Sequence, residues 1–158
     1  MPVADEMRNR VLANEDATVA FGRELYDAIR QHCGDSATVY LQGNLGAGKT
    51  TLVRGFLRMM NHDGAVKSPT YTLLEPYRTA SGDVFHFDLY RLKSPEELEF
   101  LGFDEIFAGP GYKFVEWPEQ GTGWLPPANV EVFLSLHKPA SVGGEMQQMQ
   151  REVSVRFA

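Results

Sequence analysis

Apolar positions along the chain follow two rhythms, one near four residues and one of two. In residues 15–33, Ala17, Phe21, Leu25 and Ile29 recur at every fourth position, with Ala20 and Ala28 beside them. That spacing lines one face of a helix. Asn14 offers a capping oxygen, and Glu15 and Asp16 suit the positive end of the helix dipole. Gly34 ends the helix. Residues 38–42, Thr-Val-Tyr-Leu-Gln, are β-branched and aromatic and predict a short buried strand. A glycine-rich turn over 43–48 follows. A second helix begins near Lys49, with Leu52, Val53, Phe56, Leu57 and Met60 as its apolar face, and ends in Asn61-His62-Asp63-Gly64.

Beyond it, Ser68-Pro69 marks a loop over 68–72. Strands are predicted at 72–77 and 84–88, separated by a turn at Ser81-Gly82-Asp83. Ser94-Pro95-Glu96-Glu97 joins a capping serine, a proline in the first turn and a glutamate three residues after the cap. This starts a short helix carrying Leu98 and Leu101 inward. Lys113-Phe114-Val115 reads as a buried strand ending in Glu116. Residues 130–136 and 152–157 alternate apolar and polar, as in an antiparallel pair, joined by a polar loop over 138–150. There is no internal repeat. The order predicts an α/β sheet with a parallel core and added antiparallel strands.

Size changes this picture little: 158 residues fit one domain, 1–158, with the hairpin at about 130–157. The net charge of −6 disfavours broad grip on nucleic acid, which depends on neutralising phosphates. Cys33 is the only cysteine, so no internal disulfide forms, and it reads as a structural thiol. No apolar run reaches the roughly 20 residues of a membrane helix. The first residues lack a basic start and an apolar stretch. A cytoplasmic protein is expected, with no membrane partner.

Candidate chemistry centres on Gly43-Asn44-Leu45-Gly46-Ala47-Gly48-Lys49-Thr50, which fits G-x-x-x-x-G-K-[ST] at each fixed position. Glycines let the backbone curl so that its N–H groups face phosphate oxygens. The following helix adds its unpaired N–H groups and positive dipole end. Lys49 then reaches the β- and γ-phosphates, the Thr50 hydroxyl binds Mg²⁺, and Thr51 is placed to bond the α-phosphate. A strand before the loop and an apolar-faced helix after it are the context this motif requires. The fold class that follows is a P-loop NTPase-like sheet with helices on both faces.

Such a loop needs an acid near Mg²⁺. Glu116 and Asp88 both end buried runs, and either can sit at the mouth of the sheet. No Asn-Lys-x-Asp or Leu-Ser-Gly-Gly-Gln occurs, which argues against a GTPase and a transporter-type ATPase. Arg78 and Arg91 leave a small-molecule kinase open. The four histidines, His32, His62, His86 and His137, have no metal-ligand spacing and read as surface or packing residues.

Residues 43–55, from the loop through Thr51-Leu52-Val53-Arg54-Gly55, resemble the phosphate loop of the TsaE family. Three further strings match that family in order: Lys67-Ser68-Pro69-Thr70-Tyr71-Thr72-Leu73, His86-Phe87-Asp88-Leu89-Tyr90-Arg91-Leu92 and Val115-Glu116-Trp117-Pro118. Thr18-Val19-Ala20-Phe21-Gly22 is similar to its first helix. The resemblance covers about residues 14–136. Asn44 stands where the family often has Asp, and 109–113 is slightly longer than usual.

The resemblance implies a Mg²⁺-dependent ATPase that supports threonylcarbamoyladenosine formation in tRNA. It implies binding to a TsaD–TsaB transferase heterodimer, with hydrolysis resetting that complex and tRNA reached only indirectly. It implies that Lys49 neutralises phosphates, Thr50 and Glu116 hold Mg²⁺, and Asp88 shares that shell or orients the nucleophile. Residues 68–72 would be a switch in which Thr70 or Thr72 senses the γ-phosphate. Trp117 is either near the nucleotide or partner surface or a packed core aromatic. Tyr90 and Arg91 support the site or the structure, and Thr18 is a base contact or an ordinary helix residue. The competing functions are a small-molecule kinase and a non-catalytic nucleotide-gated binding module.

Overall fold

A computed structural model describes residues 7–69, 71–137 and 150–158. Thr70 and nearly all of the loop expected at 138–150 lie outside the described residues. The strands are β1 (Arg10–Leu12), β2 (Ser36–Gln42), β3 (Leu74–Thr79), β4 (Gly82–Asp88), β5 (Gly111–Glu116), β6 (Val130–His137) and β7 (Gln150–Phe157). The α-helices are α1 (Glu15–Cys33), α2 (Lys49–Met59) and α3 (Phe103–Ala108), with 3-10 turns at Pro95–Leu101 and Pro118–Gly121. All seven strands form one sheet in the order β1-β7-β6-β2-β5-β4-β3. β6, β2, β5 and β4 run parallel to one another, and β3, β7 and β1 pair antiparallel outside them.

The first helix has the predicted limits for the predicted reasons. Asn14 Oδ1 accepts the Ala17 N–H at 2.8 Å, and the Gly34 N–H donates to the Arg30 carbonyl at 2.9 Å. α1 lies directly on α2. A Cβ on Gly22 would fall 2.3 Å from the Leu52 carbonyl oxygen, and one on Gly55 would fall 2.1 Å from that of Val19. Glycine inside a helix costs about 1 kcal/mol against alanine, and here it lets two backbones touch. That contact fixes how closely α2 lies on α1.

Alternation along β5 divides the core. Tyr112 and Phe114 join the cluster beneath α1 and α2, with Phe21, Leu25, Phe56 and Val84. Val115 points the other way, into a cluster of Phe87, Leu89, Leu98 and Phe103 beneath the first 3-10 turn and α3. Helical segments therefore cover both faces. Among the described residues no helix is long and apolar enough to cross a membrane.

Several local expectations need correction. β1 was not foreseen: its three residues carry no alternation of their own and are held by pairing with β7. The capping box at Ser94 and Glu97 forms, but the turn it starts is 3-10 and stops at Gly102, at φ 67°. Only Leu98 of this turn is fully buried while Phe100 is exposed, so one face offers too little to drive an α-helix. α3 then begins separately. β5 starts at Gly111, two residues before the strand was expected at Lys113.

Candidate functional site

β2, β5 and β4 are adjacent and parallel, so their carboxyl ends share one edge of the sheet. In the register, Leu41 faces Glu116 and Asp88 faces Glu116. The loop leaving β2 turns back through Gly48, at φ 104°, directly into α2 at Lys49. The first α2 bond to this loop runs from the Leu52 N–H to the Gly48 carbonyl. The N–H groups before it have no helical acceptor. Loop, helix start and strand ends enclose a cavity of about 310 Å³.

Lys49 is only 4% exposed. Its Nζ donates to the Gly43 carbonyl at 2.6 Å, lies 3.8 Å from Glu116 Oε1 and sits 4.3 Å from the Trp117 ring centroid. Burial pushes the ammonium below the ordinary lysine range, while Glu116 and Asp88 pull it back up. Glu116 joins three elements: beyond Lys49, its Oε2 accepts from Thr50 Oγ1 at 3.4 Å and lies 2.5 Å from His86 Nε2. His86 Nδ1 is buried and has no partner among the described residues.

Asp88 is engaged elsewhere. Ser68 Oγ donates to its Oδ2 at 2.5 Å, and the Tyr90 N–H donates to its Oδ1 at 3.0 Å. The donor set suits Mg²⁺. A hydroxyl and a carboxylate are hard oxygen ligands, and Mg²⁺ takes one or two from a protein while keeping water and phosphate oxygens. Among the described residues no cluster of three or more His, Cys, Asp or Glu makes a self-sufficient metal site.

Most of the predicted residues meet at this cavity. Leu45, Gly46, Ala47, Gly48, Lys49, Thr50, Thr51, Asp88 and Glu116 line it. Asn44 is exposed at the start of the turn, where its carbonyl accepts the Ala47 N–H. Trp117 is half-buried, packed against the Phe87 cluster with its ring also against Lys49 and Tyr90, so it stands where the core meets the site. Thr18 is buried on α1, near where a Gly48 Cβ would stand. Thr72 is exposed and lines a neighbouring cavity, while Ser68 of the same loop lines this one. Arg91 lies over the Tyr71 ring and Arg78 pairs with Asp83, so neither enters the site.

One residue near the site went unread, and a second was read only as a surface or packing residue. His86, expected at the surface or in packing, is fully buried against Glu116. Strand parity was its signal, since it lies two residues before Asp88 on the same face. Arg151 also lines the cavity and donates from Nε to the Ala47 carbonyl at 3.1 Å. Only the register of the terminal hairpin brings it there.

A parallel-cored sheet with a glycine loop leading into a helix over its carboxyl edge is a P-loop NTPase-like α/β fold. Residues 12–143 match the family model described as Threonylcarbamoyl adenosine biosynthesis protein TsaE, and the chain belongs to that family. The tRNA threonylcarbamoyladenosine biosynthesis protein TsaE of Haemophilus influenzae is 43% identical over 136 residues, 85% of this chain and 86% of that protein. The protein of the same name from Nostoc sp. is 30% identical over 154 residues, 95% of this chain and 91% of that one. The crystal structure of Bacillus subtilis YdiB shares the fold at a TM-score of 0.66 and 24% identity, covering 95% of this chain and 85% of that one.

Proposed function

We propose that the protein is a Mg²⁺-dependent ATPase that supports threonylcarbamoyladenosine modification of tRNA by binding and resetting a TsaD–TsaB transferase heterodimer. The observation that carries the ATPase reading is the convergence of Lys49, Thr50 and Glu116 on the cavity beneath the unpaired N–H groups of α2. Lys49 and the loop amides bind phosphate. Thr50 and Glu116 would hold Mg²⁺, which supplies positive charge beside the transferring phosphoryl group. Asp88, fixed by Ser68 and the Tyr90 N–H, sits on the next strand to orient the nucleophile. Family membership and the relatives' names support the tRNA role. The net charge of −6 fits a protein that reaches tRNA through a partner complex.

The test is threonylcarbamoyl transfer to tRNA, reconstituted with the heterodimer, ATP and activated donor, following product and phosphate together. The intact protein should sustain repeated turnover and release phosphate faster when the heterodimer is present, and Lys49→Ala should do neither. Product formation indifferent to the protein, with unchanged phosphate release, would sink the reading. A phosphorylated small molecule in place of free phosphate would mark a kinase.

A further inference from the structure

The two apolar clusters are not equally covered. Beneath α1 and α2 nearly every member is buried. Beneath the 3-10 turn at Pro95–Leu101 and α3, partly buried side chains outnumber buried ones. Leu101, Ile106 and Phe107 of these two short elements are among the partly buried. Phe100 is 89% exposed, more than any other large apolar side chain among the described residues. It does not stand on a loose end: the capping box at Ser94 fixes the start of the turn, and Gly102 closes it at φ 67°. A single exposed apolar side chain is ordinary, but one set on an incompletely covered cluster marks a binding face.

Charge says what covers this face. Residues 95–108 hold five acids and no base, which is most of the net charge of −6. Glu97 is used inside the turn, where its Oε2 accepts from the Lys93 and Ser94 N–H groups. Glu96, Glu99, Asp104 and Glu105 are exposed, and among the described residues none of them pairs with a cation. An acidic rim repels nucleic acid and anionic lipid. A second copy meeting this face with its own would set acid against acid. The occupant that fits is a protein surface on which Lys and Arg ring an apolar pocket.

We propose that the 3-10 turn and α3 form a docking face for the TsaD–TsaB heterodimer, with Phe100 as its apolar anchor and Glu96, Glu99, Asp104 and Glu105 as its acidic rim. This rests on the reading above that the protein binds that heterodimer. A transferase complex that acts on tRNA must carry cations to neutralise phosphates, and such cations complement the rim. The face lies on the side of the sheet away from α1 and α2, and none of these five residues lines the cavity at the strand ends.

Calorimetric titration of the full chain into the heterodimer tests this, using wild type, Phe100→Ala and the double variant Glu99→Lys with Glu105→Lys. A second double variant, Asp27→Lys with Asp35→Lys, makes the same charge change at exposed positions on and after α1. Phe100→Ala should lose about tenfold in affinity, as an interface anchor does. The Glu99 and Glu105 variant should lose at least as much and bind with a weaker salt dependence, while the Asp27 and Asp35 variant stays within about threefold of wild type. Melting temperatures, and phosphate release without the heterodimer, should match wild type throughout. Wild-type affinity in Phe100→Ala or in the Glu99 and Glu105 variant overturns the docking face and leaves the heterodimer reading intact. An equal loss in the Asp27 and Asp35 variant traces binding to net charge alone and also overturns the face. No binding by wild type removes both.

Discussion

Among the described residues two lysines are buried, at opposite ends of the parallel strands. Lys49 is 4% exposed at the carboxyl ends, and Lys113 is 1% exposed on β5. Burial pushes both ammonium groups below the ordinary lysine range. Their company differs. Among the described residues Lys113 Nζ donates to neutral oxygens, Ser36 Oγ at 3.2 Å and the Gly109 carbonyl, at the amino ends of β2 and β5. Lys49 meets one carbonyl, the Glu116 carboxylate, an aromatic ring and an open cavity that Asp88 also lines. A buried cation alone does not mark a site. Opposite charges, unpaired helix amides and room for a ligand distinguish the carboxyl end.

The largest effect expected is at Lys49. Lys49→Ala should weaken ATP binding about a thousandfold, because truncating one partner of a buried charged contact costs several kcal/mol. Lys113→Met should leave the same titration unchanged. Equal losses in the two variants would erase the distinction between the ends. Glu116→Ala comes next: turnover should drop about a hundredfold, as for other electrostatic groups at a reacting phosphate, while ATP affinity shifts little. Unchanged turnover would transfer the acid's role to Asp88.

A smaller effect is expected at His86, which touches Glu116 rather than the cavity. His86→Ala frees one carboxylate oxygen to rotate. The loss should be about tenfold in kcat with KM nearly constant, typical of a group that orients a ligand of a metal. A change in KM alone, or equal changes with a collapse in melting temperature, would make His86 a packing residue after all.

The carboxyl end was largely legible and the amino end was not. Lys49, Thr50 and the glycines sit at fixed local spacings, and Glu116 and Asp88 end apolar runs that must point at a sheet edge. Those signals live within a few residues of each other. His86 was read as a surface or packing residue; it is packed inside, and its bond to Glu116 needed the strand register. Arg151 is 104 residues from its acceptor Ala47, and only strand order brings them together. Lys113 looked like the start of an ordinary buried strand, and nothing local says that Ser36 and Gly109 will meet its ammonium. Gly22 and Gly55 carried a readable cost inside helices, but their mutual contact needed the helix packing.

The smallest effect is the one that isolates burial from function. For Lys113 the folded state holds its proton less tightly than the unfolded chain, whose value is near 10.5. Below the lowered folded value both states are protonated, and the full penalty of burying the charge is present. As pH rises from that value through about 10.5, the folded state sheds the proton first and the penalty is relieved. Wild-type stability should therefore gain with pH over that window, and Lys113→Met should lack this gain. At neutral pH the two should differ by only about 1 kcal/mol, because the variant loses two hydrogen bonds as it loses the buried charge. Denaturant midpoints of both proteins from pH 7 to 11 check this, since other alkaline titrations cancel in the difference. A stability difference that stays flat, or that moves in favour of the methionine variant as pH rises, would show that Lys113 is not held as a penalised buried cation, and the contrast with Lys49 would then reduce to the cavity alone.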